Sequence, residues 1–210
     1  MFYNKVFILL AMLSLLAGCI GLNNATPQID FYTFEYDPPG TTPAVTTDYI
    51  LKIDEFHVSS VYDDDRLLIR SQAFKRNEYA RHRWRANPGD LVADYLARDL
   101  AQTGFFRAVV RTEPVPDYSH LLTGTVEELY QRIEDGQRKA ILSLNVMLVD
   151  ESSAPGDGTV LFQQRYTYRE PLPGPGPAGF VAGISEAMRK FSSQLVTDIV
   201  EALGNSMDRQ

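Results

Sequence analysis

Alternating and helically spaced apolar residues divide the chain into a strand-rich body closed by a long helix, behind one short unbroken apolar run. That run is Val6 to Leu16 (VFILLAMLSLL). From Phe31 the pattern becomes a two-residue alternation, with Phe31, Thr33 and Glu35 on one side and Tyr32, Phe34 and Tyr36 on the other. Asp37-Pro38-Pro39-Gly40 stops it. Tyr49, Leu51 and Ile53 then share a face, while Phe56 and Val58 fall on the opposite parity. Such a one-residue phase change predicts a bulge or a bend. Asp63-Asp64-Asp65 reads as a loop, Leu67 to Phe74 as a strand, and Tyr79 to Trp84 as a further short one.

Asn87-Pro88-Gly89-Asp90 has the form of a helix start: a capping side chain, proline at the first helical position and an acid in the first turn. Val92, Leu96 and Leu100 recur at four-residue spacing, Leu91 and Tyr95 widen the apolar face, and Gly104 supplies a stop. Phe105 to Arg111, Leu121 to Tyr130, Ala140 to Val149 and Val160 to Tyr168 read as strands. In the third of these, Ala140, Leu142, Leu144, Val146 and Leu148 form one face. Ile141, Met147 and Val149 make the other substantially apolar, which predicts a central strand covered at least in part on both sides. Glu170 to Gly179 (EPLPGPGPAG) holds four of the 12 prolines and reads as a linker or exposed loop. Phe180, Ile184, Ala187, Met188, Phe191, Leu195 and Ile199 then follow helical spacing until Gly204, a stripe expected to pack on a sheet. No internal repeat of solenoid or propeller period is present. The expected fold is α+β: a mixed, mostly antiparallel sheet, a short helix after the third to fourth strand, and a long C-terminal helix on one face.

The N-terminal run carries Lys5 before it and Ala17-Gly18 behind it, which is signal-peptide grammar, and it is shorter than the ~20 residues of a membrane span. Leu16-Ala17-Gly18-Cys19 resembles the lipobox of bacterial lipoproteins. The resemblance implies cleavage before Cys19 and a diacylglyceryl group on its thiol, so the chain is held to a membrane without spanning it. The organisation expected is a signal peptide over 1–18, a lipidated N-terminus and tether over 19–30, and one folded domain over 31–205. Ile20 follows the anchor where an aspartate would favour inner-membrane retention by the sorting of Gram-negative bacteria. The expected location is therefore the periplasmic face of the outer membrane. Residues 20–30 (IGLNNATPQID) form a small, polar tether spanning at most about 35 Å when extended.

Composition narrows the function classes. The net charge of −7 argues against a nucleic-acid binder, and Cys19, the one cysteine, excludes an internal disulfide. His57, His82 and His120 are not spaced as metal ligands, and neither a nucleophile elbow nor a phosphate loop is present. Asp63-Asp64-Asp65 lacks the glycine and distant glutamate of a calcium loop. No cofactor is expected. One stretch departs from the average: Arg66 to Arg85 has seven basic residues against Glu78 alone, so it carries +6 while the rest carries −13. A basic face for anionic headgroups or an acidic partner is one reading. An exposed hairpin whose charges pair with the acidic remainder is the other. Arg81, Arg83, Trp84 and Arg85 are the candidate contact residues, Trp84 also having the character of a packing anchor.

A tyrosine-bearing first strand, LKIDEFHVSS (51–60), RLLIRSQAF (66–74), EYARHRW (78–84), NPGDLVADYLARDL (87–100) and GFFRAVV (104–110) follow one another behind the lipobox. In that order the chain resembles the ABC-type transport auxiliary lipoproteins, which serve ABC transport systems and MCE-type (mammalian cell entry) lipid transporters. The similarity runs from about Phe31 to Leu203. It departs from the family pattern at the Pro/Gly-rich stretch 170–179 and in the arginines around Trp84. The resemblance implies a non-enzymatic periplasmic domain that partners an MCE-domain protein and ABC subunits in moving phospholipid or another hydrophobic cargo. A homo-oligomer is left open. Two other readings stay beside it: a lipoprotein regulator of a cell-wall synthase, and a periplasmic hydrolase working through paired carboxylates.

Overall fold

A computed structural model describes residues 3, 28–40, 46–111, 117–152 and 158–207. The apolar run Val6–Leu16, Cys19 and Ile20 lie outside the described residues. Among the described residues eight strands form one sheet: β1 (Asp30–Tyr32), β2 (Ile50–Val58), β3 (Arg66–Gln72), β4 (Lys75–Trp84), β5 (Ala108–Val110), β6 (His120–Glu134), β7 (Gln137–Asp150) and β8 (Thr159–Pro171). Two helices, α1 (Pro88–Gln102) and α2 (Gly176–Met207), lie against it. The architecture is the expected α+β class. Among the described residues no helix is long and apolar enough to cross a membrane.

The long strand β6 organises the sheet. One edge pairs antiparallel with β7 along nearly its whole length, and β7 pairs antiparallel with β8. The other edge is shared: β2 runs parallel to its first half and β3 to its second, with Ile69 opposite Gln131 and Arg70 opposite Arg132. β5 adds to β2, β4 to β3, and β1 to the end of β4. The phase change read in β2 is a register shift between Ile53 and Phe56, and it keeps Leu51, Ile53 and Phe56 all buried.

The stripe of α2 lies on the alternating face of β7. Ala140, Leu142, Leu144, Val146 and Leu148 are completely buried, as are Phe180, Ile184, Met188, Phe191, Leu195 and Ile199 opposite them. Each such side chain contributes ~1.5–3 kcal/mol of transfer free energy. The opposite face of β7 is covered only in part: Ile141 joins a small cluster with Tyr62, Leu68 and Tyr130. The N-cap of α1 is Asn87, whose Oδ1 accepts from the Gly89 amide at 2.9 Å. Gly89 touches β2 so closely that a Cβ there would lie 1.9 Å from the Phe56 carbonyl oxygen. At the other end Gly104 (φ +67°) turns the chain out of the helix.

Several expected boundaries are corrected. Residues 170–179 are the expected loop only over 172–175: Glu170 and Pro171 close β8, and Gly176 to Gly179 open α2. Pro171 fits because β8 is an edge strand and Pro177 because it sits in a first helical turn, where no amide donor is required, while Pro173 and Pro175 lie in the loop. Gly204 does not stop α2, which continues to Met207. β4 starts at Lys75, since Ala73-Phe74 is already the turn of the β3–β4 hairpin. β1 ends at Tyr32 because the chain then leaves the sheet to cross the helices. There the Glu35 amide donates to Ser185 Oγ at 2.9 Å and the Tyr95 hydroxyl donates to the Phe34 carbonyl. β5 is shorter than the Phe105–Arg111 expected, because Phe105 and Phe106 turn into the core beneath α1.

Candidate interaction surface

The basic stretch folds as the β3–β4 hairpin with its continuation to Trp84. Trp84 is 1% exposed; its ring meets Phe34 edge-on at 5.5 Å and lies 6.0 Å from Phe180 of α2. As a partner contact Trp84 is therefore corrected, since its indole joins sheet, crossing segment and helix inside the core. Arg83 folds back on its own strand: Nη1 donates to the carbonyls of Tyr79 and His82, both at 3.0 Å, and Nε lies 3.5 Å from Asp65. Arg66 pairs with Asp64 and Glu78, each at 2.8 Å. Arg81 and Arg85 remain on the surface, the Arg85 guanidinium 5.5 Å from the centre of the half-exposed Phe31 ring. Of the four candidates, then, Arg81 and Arg85 face outward and Arg83 and Trp84 hold the strand.

The three aspartates before β3 serve this hairpin. Asp63 Oδ1 accepts from Asn87 Nδ2 at 2.8 Å, tying the loop to the α1 cap. Partial burial pushes the neighbouring carboxyls upward. In Asp64 the hydrogen bonds from Arg66 and Asp65 outweigh that and hold it below the usual carboxylate range, while Asp65, facing the charge of Asp64, stays above it. Among the described residues no group of three or more His, Cys, Asp or Glu side chains is arranged to hold a metal ion.

The histidines occupy three separate settings. His57 is exposed on β2. His82 Nδ1 lies 3.2 Å from the Tyr32 hydroxyl, across the β1–β4 ladder. His120 is buried, its Nδ1 2.9 Å from Ser119 Oγ and its ring 4.5 Å from Tyr49. Burial pushes its imidazole below the ordinary range against the opposing pull of Asp150.

A polar centre unseen in the periodicity lies between the helices. Asp99 of α1 is fully buried and accepts from the Tyr36 hydroxyl at 2.8 Å, Ser192 Oγ of α2 at 2.6 Å and Arg98 Nε at 2.8 Å. Arg98 Nη2 stands 2.7 Å from the same carboxylate without hydrogen-bond alignment, so it contributes charge alone. The guanidinium lies 4.6 Å and 4.5 Å from the ring centres of Tyr36 and Tyr95. Burial and then the Asp99 charge push the Tyr36 hydroxyl well above the ordinary tyrosine range. This cluster holds Tyr36 of the crossing segment between the two helices. Its only sequence trace is an acid on the apolar side of α1.

Open grooves mark the surface formed by the described residues. One of about 380 Å³ runs between residues 31–35 and the start of α2, lined by Phe31, Tyr32, Val181 and Ala182 among others. Two others, of about 230 and 440 Å³, lie at the tips of the β6–β7 and β3–β4 hairpins. Glu134 and Asp135 line both of these, and Glu134 is paired with Arg132 at 2.6 Å.

Residues 32–196 match the model of the family described as the ABC-type transport auxiliary lipoprotein component. No curated protein matches the sequence. Among solved structures, protein XCC0632 from Xanthomonas campestris, of family DUF330, superposes with a TM-score of 0.72 at 18% identity, over 86% of this chain and 99% of that one. A second, of an uncharacterized protein, gives a TM-score of 0.65 at 12% identity over 82% and 99%. At these identities the likeness is one of fold.

Proposed function

The chain belongs to the family of ABC-type transport auxiliary lipoprotein components, and from that premise we propose that it is a non-enzymatic docking subunit of an ABC/MCE-type transporter of phospholipid or other hydrophobic cargo. In this reading Cys19 carries the acyl anchor in the periplasmic leaflet of the outer membrane. The domain stands off the bilayer on residues 20–30 and receives an MCE-domain protein. The mechanism is positional: two acyl chains give stable anchoring where one is marginal, and the held domain keeps the partner's conduit at the membrane, so that cargo need not cross free water.

The observation that carries the proposal is the family match over 32–196 directly behind the lipobox-like Leu16-Ala17-Gly18-Cys19. Arg81 and Arg85 are the outward contact pair assigned to the partner. Copurification from gently solubilised envelopes tests this. Recovery of MCE and ABC subunits supports it, and recovery of a peptidoglycan synthase in their place would replace it with the regulator reading. The anchor is tested separately. Cys19→Ser is expected to move the chain from the membrane to the soluble fraction, and a variant that still fractionates with the outer membrane removes the lipid from the account.

A further inference from the structure

The turn of the β3–β4 hairpin is Ala73-Phe74, closed by the Gln72–Lys75 pair. Phe74 is wholly exposed at 101% and has φ +63°, a left-handed conformation that two-residue turns normally give to glycine or asparagine. An aromatic ring there gains nothing from folding, because it touches no core. Lys75 and Arg76 follow it directly; neither is ion-paired among the described residues, though the Arg76 guanidinium lies 5.6 Å over the Tyr130 ring and bonds the Tyr62 hydroxyl while its charge stays unneutralised by a carboxylate.

Because β3 is parallel to β6, the β6–β7 tip stands beside this one, and a groove of about 440 Å³ is lined by both. Residues 70–76 and 131–139 together carry six cations against two carboxylates, one of which Arg132 neutralises. The end of the domain is thus an exposed aromatic inside a cationic collar. An exposed apolar ring ringed by cations is complementary to an anionic bilayer surface, and the direction of β1 agrees with that occupant. β1 is parallel to β4, with Asp30 opposite His82, and β4 runs away from the hairpin tip. Gln28 and Ile29 therefore enter β1 from the side that faces the tip.

We propose that this end is a second membrane contact. Phe74 enters the headgroup layer of an anionic phospholipid bilayer, Lys75, Arg76 and the neighbouring Arg138 and Lys139 meet the phosphates, and the domain is thereby oriented on the membrane that carries its anchor. The inference rests on the reading of Cys19 as lipidated only for which membrane is met. An aromatic side chain beside lysine and arginine suits that interface, where an apolar body is buried and charges add roughly one kcal/mol apiece near an anionic surface.

The test uses the mature-length chain with Cys19→Ser, so that no acyl group contributes. It should partition onto phosphatidylethanolamine–phosphatidylglycerol vesicles and not onto pure phosphatidylcholine, and added salt should weaken the binding. Phe74→Ser should lower the partition coefficient about ten-fold, and the pair Lys75→Glu, Arg76→Glu should abolish partition. Phe74→Trp should be quenched by acyl-brominated lipid, while the buried Trp84 is not. Phe74 being fully exposed, its variants should unfold at the wild-type temperature, and the charge pair is scored only at temperatures where circular dichroism shows it folded. Unchanged partition of Phe74→Ser, or none of the parent chain on anionic vesicles, overturns the proposal. So does a Phe74→Ser chain whose only defect is capture of transporter subunits, which would make the tip a protein contact. Vesicle binding without acylation in cells refutes the anchor alone, and acylation without vesicle binding refutes the tip alone.

Discussion

Replacing Asp99 by alanine removes the one acceptor shared by Tyr36, Ser192 and Arg98, at a position with no solvent exposure. Removing one partner of a buried ion pair costs ~3–5 kcal/mol, because the remaining charge is stranded. Arg98 is one-third exposed, at 33%, and can turn towards water, which moves the cost to the lower end. The two hydroxyls point the other way, since a buried donor left without an acceptor costs ~1–3 kcal/mol. The expected loss is about 3–4 kcal/mol, or roughly 10 °C in Tm for a domain of this size. Urea unfolding followed by circular dichroism measures it as a lower midpoint at unchanged slope. Asp99→Asn, which keeps one carbonyl acceptor, should lose less, and Asp99→Ala with Arg98→Leu should recover part of the loss. A fall below ~1 kcal/mol for Asp99→Ala would refute the view that this carboxylate joins α1, α2 and the crossing segment.

Gly89→Ala drives a Cβ to 1.9 Å from the Phe56 carbonyl oxygen, so α1 must lift off β2; a loss of about 2–3 kcal/mol in the same unfolding assay is expected. His120 has a folded pKa below its unfolded value of ~6.5, so the unfolded chain takes up the proton first as pH falls. Stability should therefore drop between about pH 6.5 and the lower folded pKa, by up to ~1.4 kcal/mol per unit, and His120→Gln should flatten that limb. Arg81→Glu with Arg85→Glu should leave stability within ~0.5 kcal/mol and weaken partner capture in a pull-down. Trp84→Ala should instead cost ~3–5 kcal/mol, and a mild effect there would contradict its place in the core.

Local chemistry made much of the fold legible. The β7 face, the α2 stripe and the Asn87 cap were readable because each is set by spacings within a few residues, and the β2 phase change marked a true register shift. The proline-rich stretch is a loop at 172–175 but misled at its two ends, because proline reports only a missing donor and a fixed φ. An edge strand and a first helical turn satisfy both as well as a loop does. The Ala73-Phe74 turn was missed because nothing in it carries the usual glycine or asparagine signal. The arginine excess was plain in composition, but composition does not separate Arg83, folded onto its own carbonyls, from Arg81 at the surface.

The sequence by itself determined the α+β class, most elements, the lipobox-like N-terminus and the charge inversion, since periodicity and composition are properties of neighbouring residues. Only the tertiary structure decided that Trp84 is core, that Asp99 has partners, and that the β3–β4 and β6–β7 tips share one end of the domain. Those outcomes depend on residues far apart in the chain, such as Asp99 with Ser192, 93 positions away, and Glu35 with Ser185, 150 away. A side chain's burial and ionic partners are set by what the fold brings to it.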